Sequence, residues 1–205
     1  MRKLIICTLV LFCVVILSGC AVKYKPINPT SLSYNSHDVG DGVSLSYKYD
    51  VLRERGNRKV SNKERKQGVK LIAVKVTNHT DSVLNIGKDL IFYSGENQLY
   101  PMEPAVIRST IRQSVPPYLF YLLLTFTTLE VHDGSTTDTY PIGFALGPGI
   151  AFGNMALANS ANKDLHKEVS EYYIMDKDVP EGETVYGIIG VRDVGYSPIT
   201  VRLRD

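Results

Sequence analysis

An almost wholly apolar run that ends at a cysteine sets the limits of what this chain can fold into. Arg2 and Lys3 precede 14 uncharged residues, Leu4 to Leu17, and Ser18-Gly19-Cys20 follows. A short cationic start, an apolar stretch of this length and small residues at its end are the layout of a secretory signal peptide. A membrane-spanning helix needs about 20 apolar residues, so this run is short for a permanent anchor. We therefore predict that residues 1–19 are removed and that residues 20–205 form the mature protein.

The tetrapeptide Leu17-Ser18-Gly19-Cys20 resembles the lipobox of bacterial lipoproteins. The resemblance implies cleavage between Gly19 and Cys20, a diacylglyceryl group on the Cys20 thiol and acylation of the new amino group. Two or three acyl chains hold a protein firmly on a membrane, whereas one gives only marginal binding. The next residue is Ala21 rather than aspartate, which resembles the outer-membrane pattern. We expect a lipid-anchored outer-membrane protein that faces the periplasm, with the cell surface as the alternative.

Cleavage also changes the net charge, the length and the cysteine content of the chain. It lowers the count of Lys and Arg from 23 to 21, which equals the 21 acidic residues, and leaves 186 residues (205 minus 19). A neutral chain gives no electrostatic reason to expect a nucleic-acid partner. Cys7 and Cys13 lie in the signal, so the mature chain has no disulfide. The length predicts one domain with an insertion.

We predict that the mature chain consists of a tether followed by a single domain. Residues 20–38 contain prolines and small polar residues without an apolar period, which predicts a lipidated tether. Residues 39–205 contain short segments of strand character between turn residues, which predicts a mainly β fold with an α insertion, an antiparallel immunoglobulin-like β-sandwich. The predicted strands are Val43 to Val51, Val69 to Thr77, Val83 to Ile86, Lys88 to Ser94, Gln98 to Tyr100, Val185 to Val194 and Ile199 to Leu203.

The insertion, at about 104–170, is predicted to be a helical hairpin. Two prolines precede an arm that is apolar all round, Tyr118 to Phe126, and a polar loop, His132 to Thr139, separates it from a second apolar arm that begins at Ile142. Glycines in the second arm occur in Gly-x-x-x-Gly pairs, which permit close helix approach. One sheet face cannot cover this much apolar surface, so we predict a contact surface made by Tyr118, Leu119, Phe120, Leu122, Gly143, Gly147, Gly149 and Gly153.

The pattern as a whole resembles a group of largely uncharacterised lipoproteins of Gram-negative bacteria. The resemblance rests on Leu71 to Asn78, Tyr118 to Leu122, Pro141-Ile142-Gly143 and Gly182 to Gly190. The strand and turn at Leu71 to Asn78 also look like the extracytoplasmic immunoglobulin-like domains of many bacterial lipoproteins. The resemblance implies a fold and a location, and it brings no activity.

No pattern of catalytic or metal-binding residues stands out. The chain lacks Gly-x-Ser-x-Gly and metal-ligand spacing among its histidines, so we predict no catalytic residue, metal or cofactor. The acidic residues Asp176, Asp178, Glu181 and Glu183 favour a charged turn, with a calcium site as the alternative. An EF-hand is excluded because Glu181 stands where that loop needs glycine.

The segment Arg53 to Gly68 carries seven basic and two acidic residues. We predict a mobile, solvated connection between paired strands, with contact to phosphate-bearing headgroups or to an acidic partner as the alternative. The segment has no aromatic residues, which disfavours a surface that stacks nucleic-acid bases.

These observations favour a non-enzymatic envelope lipoprotein that binds or assembles with other envelope components. The first alternative is a membrane-inserting or self-associating oligomer formed through the glycine-spaced apolar hairpin. The second alternative is an envelope hydrolase. The expected partners are the membrane, through the lipid anchor, and an envelope protein or a second copy of the chain.

Overall fold

The computed structural model describes residues 19–40, 42–192 and 195–204, so the predicted signal peptide lies almost wholly outside the described residues. The chain divides into two compact units. Within the described residues, the first unit consists of 19–23 and 113–161, and the second consists of 24–112 and 162–204. Helices account for 38% of the described residues and strands for 31%, so the fold is mixed α/β with antiparallel sheets and the expected predominance of β structure is not confirmed.

The elements are numbered along the chain. The helices are α1 (Val51–Glu54), α2 (Arg58–Gln67), α3 (Ile86–Asp89), α4 (Pro104–Ile111) and α5 (Gly143–Glu171), and the 3₁₀ helices are η1 (Pro29–Ser31) and η2 (Pro116–Phe126). The strands are β1 (Ser36–Gly40), β2 (Val43–Lys48), β3 (Val69–Asn78), β4 (Leu84–Asn85), β5 (Leu90–Ser94), β6 (Asn97–Gln98), β7 (Leu129–Asp133), β8 (Thr136–Tyr140), β9 (Asp178–Val179), β10 (Thr184–Arg192) and β11 (Ile199–Leu203).

The second unit is built around β3, which is buried along most of its length. Strand β3 lies between β2 and β10 in an antiparallel sheet of order β1-β2-β3-β10, and a smaller sheet has the order β11-β5-β6. Ile72 and Val74 belong to one core cluster with Phe92 and Val201 of the smaller sheet. Gly190, which pairs with Leu71, has the side chain of Ile107 from α4 directly above it. Strand β3 is therefore covered on both faces, which explains its nearly continuous apolar sequence.

The basic segment before β3 is helical, and the prediction of a mobile connection was wrong. Helix α2 follows Asn57, whose buried side chain bonds both the N–H and the C=O of Lys25. It ends at Gly68, which has a φ of 58° and donates its N–H to the Glu64 carbonyl. Val60 is buried. The glycine cap, the buried Val60 and the buried Glu64, which accepts the Leu71 N–H, thus hold this strongly charged helix in the fold.

The segment after Cys20, which was predicted to be a lipidated tether, is packed against the fold along part of its length. Ala21, Tyr24, Ile27 and Pro29 are buried, and β1 forms the edge of the larger sheet. Tyr24 and Ile27 pack within the second unit, where their polar groups bond the carboxylate of Glu168. The segment lacks an apolar period because its backbone is irregular and its buried side chains do not follow the spacing of a helix or a strand.

The described part of the first unit consists of η2, the β7–β8 hairpin and most of α5. The two apolar arms of the prediction are present, but the first arm is a 3₁₀ helix and the polar loop between the arms is a β-hairpin. Its five residue pairs run from Leu129 opposite Tyr140 to Asp133 opposite Thr136. None of the described helices is both long enough and apolar enough to cross a membrane.

Candidate functional site

The predicted lipid attachment residue, Cys20, lies in the first unit and is partly buried. The residue after it, Ala21, is buried and donates its N–H to Oδ1 of Asn154 on α5 at 2.6 Å. The next residue, Val22, donates its N–H to Gln113 at 3.2 Å and accepts the Gln113 amide at 2.6 Å. Backbone groups at both residues after Cys20 are therefore paired within the unit, which holds the position of the cysteine.

A small core surrounds this attachment point. Ala21, Tyr118 and Ala158 are buried together, with Tyr121 and Met155 packed against them. The rings of Tyr118 and Tyr121 stack with centroids 6.5 Å apart. Burial raises the pKa of the Tyr121 phenol. Tyr118 was predicted to lie on the contact surface, but it belongs to this core.

Exposed apolar side chains are concentrated in the first unit. Of the seventeen large apolar side chains that are exposed in the described residues, twelve lie between Leu119 and Leu157. Phe126, Phe120 and Phe144 are 84%, 75% and 72% exposed. Exposed large apolar side chains that are concentrated in one unit make that unit the candidate for an interaction site. We call this set the apolar surface: Leu119, Phe120, Leu123, Phe126, Leu129, Val131, Tyr140, Ile142, Phe144, Leu146, Phe152 and Leu157.

Every residue of the β7–β8 hairpin is exposed. Leu129 lies opposite Tyr140 and Val131 opposite Asp138, so one face of the hairpin carries three large apolar side chains. A two-stranded hairpin with nothing packed on it is marginally stable in water. The hairpin therefore presents an exposed apolar face made by Leu129, Val131 and Tyr140.

The arms next to the hairpin carry no charge. Residues 113–129 and 139–162 contain no Asp, Glu, Lys or Arg, and the charged residues between them are the acidic Glu130, Asp133 and Asp138. The apolar surface is thus uncharged on both arms, and its acidic groups are confined to the hairpin. Uncharged arms favour contact with an apolar environment over contact with a charged partner.

The four predicted glycines divide into two pairs. At Gly143 and Gly147 an added Cβ would collide with the backbone of Thr125, so this pair lets α5 pack closely on the end of η2. At Gly149 and Gly153 an added Cβ would meet nothing within 4 Å. Gly143 and Gly147 therefore permit close packing inside the unit, whereas Gly149 and Gly153 leave open space on the surface of α5. Of the remaining predicted contact residues, Leu119 and Phe120 are exposed and Leu122 is partly buried.

The residues considered for chemistry are dispersed. No group of three or more His, Cys, Asp or Glu in the described residues has a geometry that could hold a metal. In the acidic turn, Asp178 accepts a hydrogen bond from Asn85 at 2.7 Å. Each histidine ring is paired with a hydroxyl group: His37 with Ser46, His79 with Ser44, His132 with Thr137 and His166 with Ser170.

Sequence reasoning missed the exposed hairpin, although the alternation of apolar Leu129 and Val131 with polar Glu130 and His132 was the available signal. It also missed the contact of the post-cysteine backbone with Asn154 and Gln113, which no local pattern encodes. Comparison of the chain with protein-family models, with curated proteins and with solved structures gave no match.

Proposed function

We propose that this chain is a non-enzymatic envelope lipoprotein held on the outer membrane by acyl chains on Cys20 and by insertion of the apolar surface into the lipid. One observation carries the proposal. Cys20 and the apolar surface belong to the same compact unit, and the backbone next to Cys20 is hydrogen-bonded to α5, whose first half contributes Phe144 and Phe152.

The anchor at Cys20 determines where the first unit lies. An acylated Cys20 has to lie at the lipid surface, and Ala21 is bonded directly to Asn154, so the first unit lies there as well. Full burial of each exposed phenylalanine would contribute about 1.5–3 kcal/mol. The apolar arms enter the headgroup region, while Asp133 and Asp138 keep part of the hairpin in water. The apolar surface is then a second anchor that also fixes the orientation of the unit.

We further propose that the two sheets of the second unit form an immunoglobulin-like sandwich that binds or assembles with another envelope protein. The support is the shared core of the two sheets, in which Leu45 and Ile189 of the larger sheet and Leu90 and Ile199 of the smaller sheet belong to one cluster. Helices α2 and α4 are additions to such a sandwich. In-cell crosslinking followed by identification of copurifying proteins tests this part of the proposal.

Self-association is the second candidate function. Gly149 and Gly153 face open space on α5 and Phe152 is exposed beside them, an arrangement that permits a close contact between two copies of the helix. Membrane insertion requires no second copy, whereas this alternative predicts a defined oligomer in the absence of lipid.

Liposome flotation of the chain from residue 20 with Cys20→Ala separates the two candidates. We expect this non-acylated protein to float with liposomes, and we expect Phe120→Ser, Phe126→Ser and Phe144→Ser together to abolish flotation. The matched control is Val39→Ser, Val83→Ser and Tyr100→Ser, which removes three exposed apolar side chains of the second unit.

Light scattering of the same proteins without lipid completes the test. A monomer that floats supports the membrane proposal. A defined oligomer that ignores liposomes, and that the phenylalanine variant dissociates, supports self-association instead. A monomer that ignores liposomes contradicts both.

A further inference from the structure

The second unit contains a basic cleft. It has a volume of about 620 Å³ and is bounded by α2, the end of α1, the start of β3 and Tyr196. Cavities of a few hundred Å³ are the usual size of small-molecule sites. The prediction that this segment is a solvated connection gave no reason to expect a cleft.

Helix α2 presents one polar stripe to the cleft. Arg58, Ser61, Asn62 and Arg65 line it at spacings of three, four and seven residues, which places them on the same face of the helix. Arg53 lies at the end of α1 and adds a third guanidinium. Guanidinium groups bind phosphate through paired N–H donors.

The acidic residues of the cleft are already engaged within the protein. The carboxylate of Asp50 accepts the Tyr196 hydroxyl at 2.9 and 3.0 Å. Glu64 is 7% exposed and accepts the Leu71 N–H at 2.6 Å. Within the described residues, Arg53, Arg58 and Arg65 form no ion pair with either carboxylate.

A fourth cation is held at the wall of the cleft. The ammonium of Lys70 lies 3.5 Å from the centroid of the Tyr196 ring and donates to the carbonyl of Gly195. Tyr196 therefore fixes Lys70 with its ring and Asp50 with its hydroxyl. The four basic groups outnumber the two acidic groups, so the cleft has a positive potential over a confined volume.

We propose that this cleft binds a phosphate-bearing molecule of headgroup size, with Arg53, Arg58 and Arg65 as the phosphate ligands. The chemistry is the same for a phospholipid headgroup and for a soluble phosphorylated compound. The volume exceeds what a bare phosphate ion needs, and Ser61 and Asn62 supply neutral donors for a polar group next to the phosphate. The proposal does not depend on membrane insertion of the first unit.

Protection of arginine from a dicarbonyl reagent tests the proposal on the full chain in a non-ionic detergent, with mass spectrometry of each modified residue. One arm adds inorganic pyrophosphate or glycerol phosphate. The other removes the detergent and reconstitutes the chain into vesicles of phosphatidylcholine with or without phosphatidylglycerol. We expect Arg53, Arg58 and Arg65 to be protected, and we expect the exposed Arg108 and Arg112 to react throughout. Protection by soluble probes identifies a free phosphorylated ligand, and protection by phosphatidylglycerol vesicles alone identifies a headgroup.

The variant Arg58→Ala/Arg65→Ala should raise the probe concentration for half-protection of Arg53 at least about tenfold. Arg108→Ala/Arg112→Ala, the matched pair of exposed arginines at α4, should leave that concentration unchanged. The proposal is overturned if neither arm protects the three arginines, if Arg108 and Arg112 are protected equally, or if the double variant at α2 behaves as the control does.

Discussion

The carboxylate of Glu168 accepts the phenolic hydrogen of Tyr24 at 2.5 Å, although 144 residues separate them in the chain. The same carboxylate accepts the backbone N–H groups of Ile27 at 3.0 Å and Asn28 at 2.8 Å. Burial raises the pKa of Tyr24, and the charge of Glu168 raises it further. One buried side chain of α5 thus orders the irregular segment that precedes the first sheet.

Glu168→Ala should destabilise the second unit strongly, because it leaves the Tyr24 hydroxyl and two N–H groups without their acceptor. Each buried polar group left unpaired costs about 1–3 kcal/mol. Tyr24→Phe removes one hydrogen bond and should cost less. Urea unfolding of the three proteins measures the difference. A loss for Glu168→Ala no greater than that for Tyr24→Phe would show that solvent replaces the carboxylate and that the segment is not fixed by it.

Sequence periodicity predicted only part of the β structure of the second unit: β1 and β9 were missed, and Ile86 and Lys88, which were predicted to lie in strands, belong to helix α3. The alternation that begins at Val43 and the apolar run that begins at Val69 correspond to β2 and β3, and Ile199 to Leu203 is β11. These strands are predictable because burial on one face or on both imposes a pattern on consecutive residues. The order of the strands in the two sheets is not encoded in any local pattern.

The rest of the fold depends on contacts between distant residues. Helix α2 has a strongly polar sequence, and its order depends on Val60, on Glu64 and on the cap at Gly68. The segment after Cys20 depends on Asn154, Gln113 and Glu168. In the candidate site, the exposure of Phe120 was predictable because the insertion has more apolar surface than one sheet face can cover. The burial of Tyr118 was not predictable, because it follows from packing against Ala21 and Ala158.

Cys20 is expected to be the sole site of lipid attachment. Mass spectrometry of the mature N-terminal peptide should show an acylated cysteine, because the tetrapeptide ending at Cys20 resembles a lipobox. Cys20→Ala should accumulate precursor that retains residues 1–19 or should release soluble protein. Recovery of unmodified Cys20 from protein extracted out of membranes would contradict the assignment.

Gly147→Ala and Gly153→Ala should change the stability of the first unit in opposite directions. At Gly147 the new methyl carbon would lie 2.7 Å from the backbone nitrogen of Thr125, so α5 would have to move away from η2. At Gly153 there is open space, and alanine should stabilise the helix by up to about 1 kcal/mol. Thermal unfolding followed by circular dichroism measures both effects. Equal stabilisation by the two substitutions would rule out the close approach at Gly147.

Stability should decrease with rising pH because of Glu64. Burial raises the pKa of this carboxyl from its ordinary value of 4.5 to about 7, an effect that the charge of Asp50 increases and that the Leu71 N–H and the charge of Lys70 oppose. Between pH 4.5 and 7 the folded protein binds the proton that the unfolded chain has lost, so the free energy of unfolding falls across that range. The full difference is on the order of 3 kcal/mol, at about 1.36 kcal/mol for each unit of pKa.

Glu64→Gln keeps an oxygen acceptor for Leu71 without the charge, so it should match the parent protein near pH 5 and exceed its stability near pH 8. Urea unfolding at the two pH values measures the difference, with the solvent-exposed Glu96→Gln as the control that should change neither value. A Glu64→Gln protein that is less stable than its parent at pH 8 would mean that the ionised carboxylate is the form that the fold prefers.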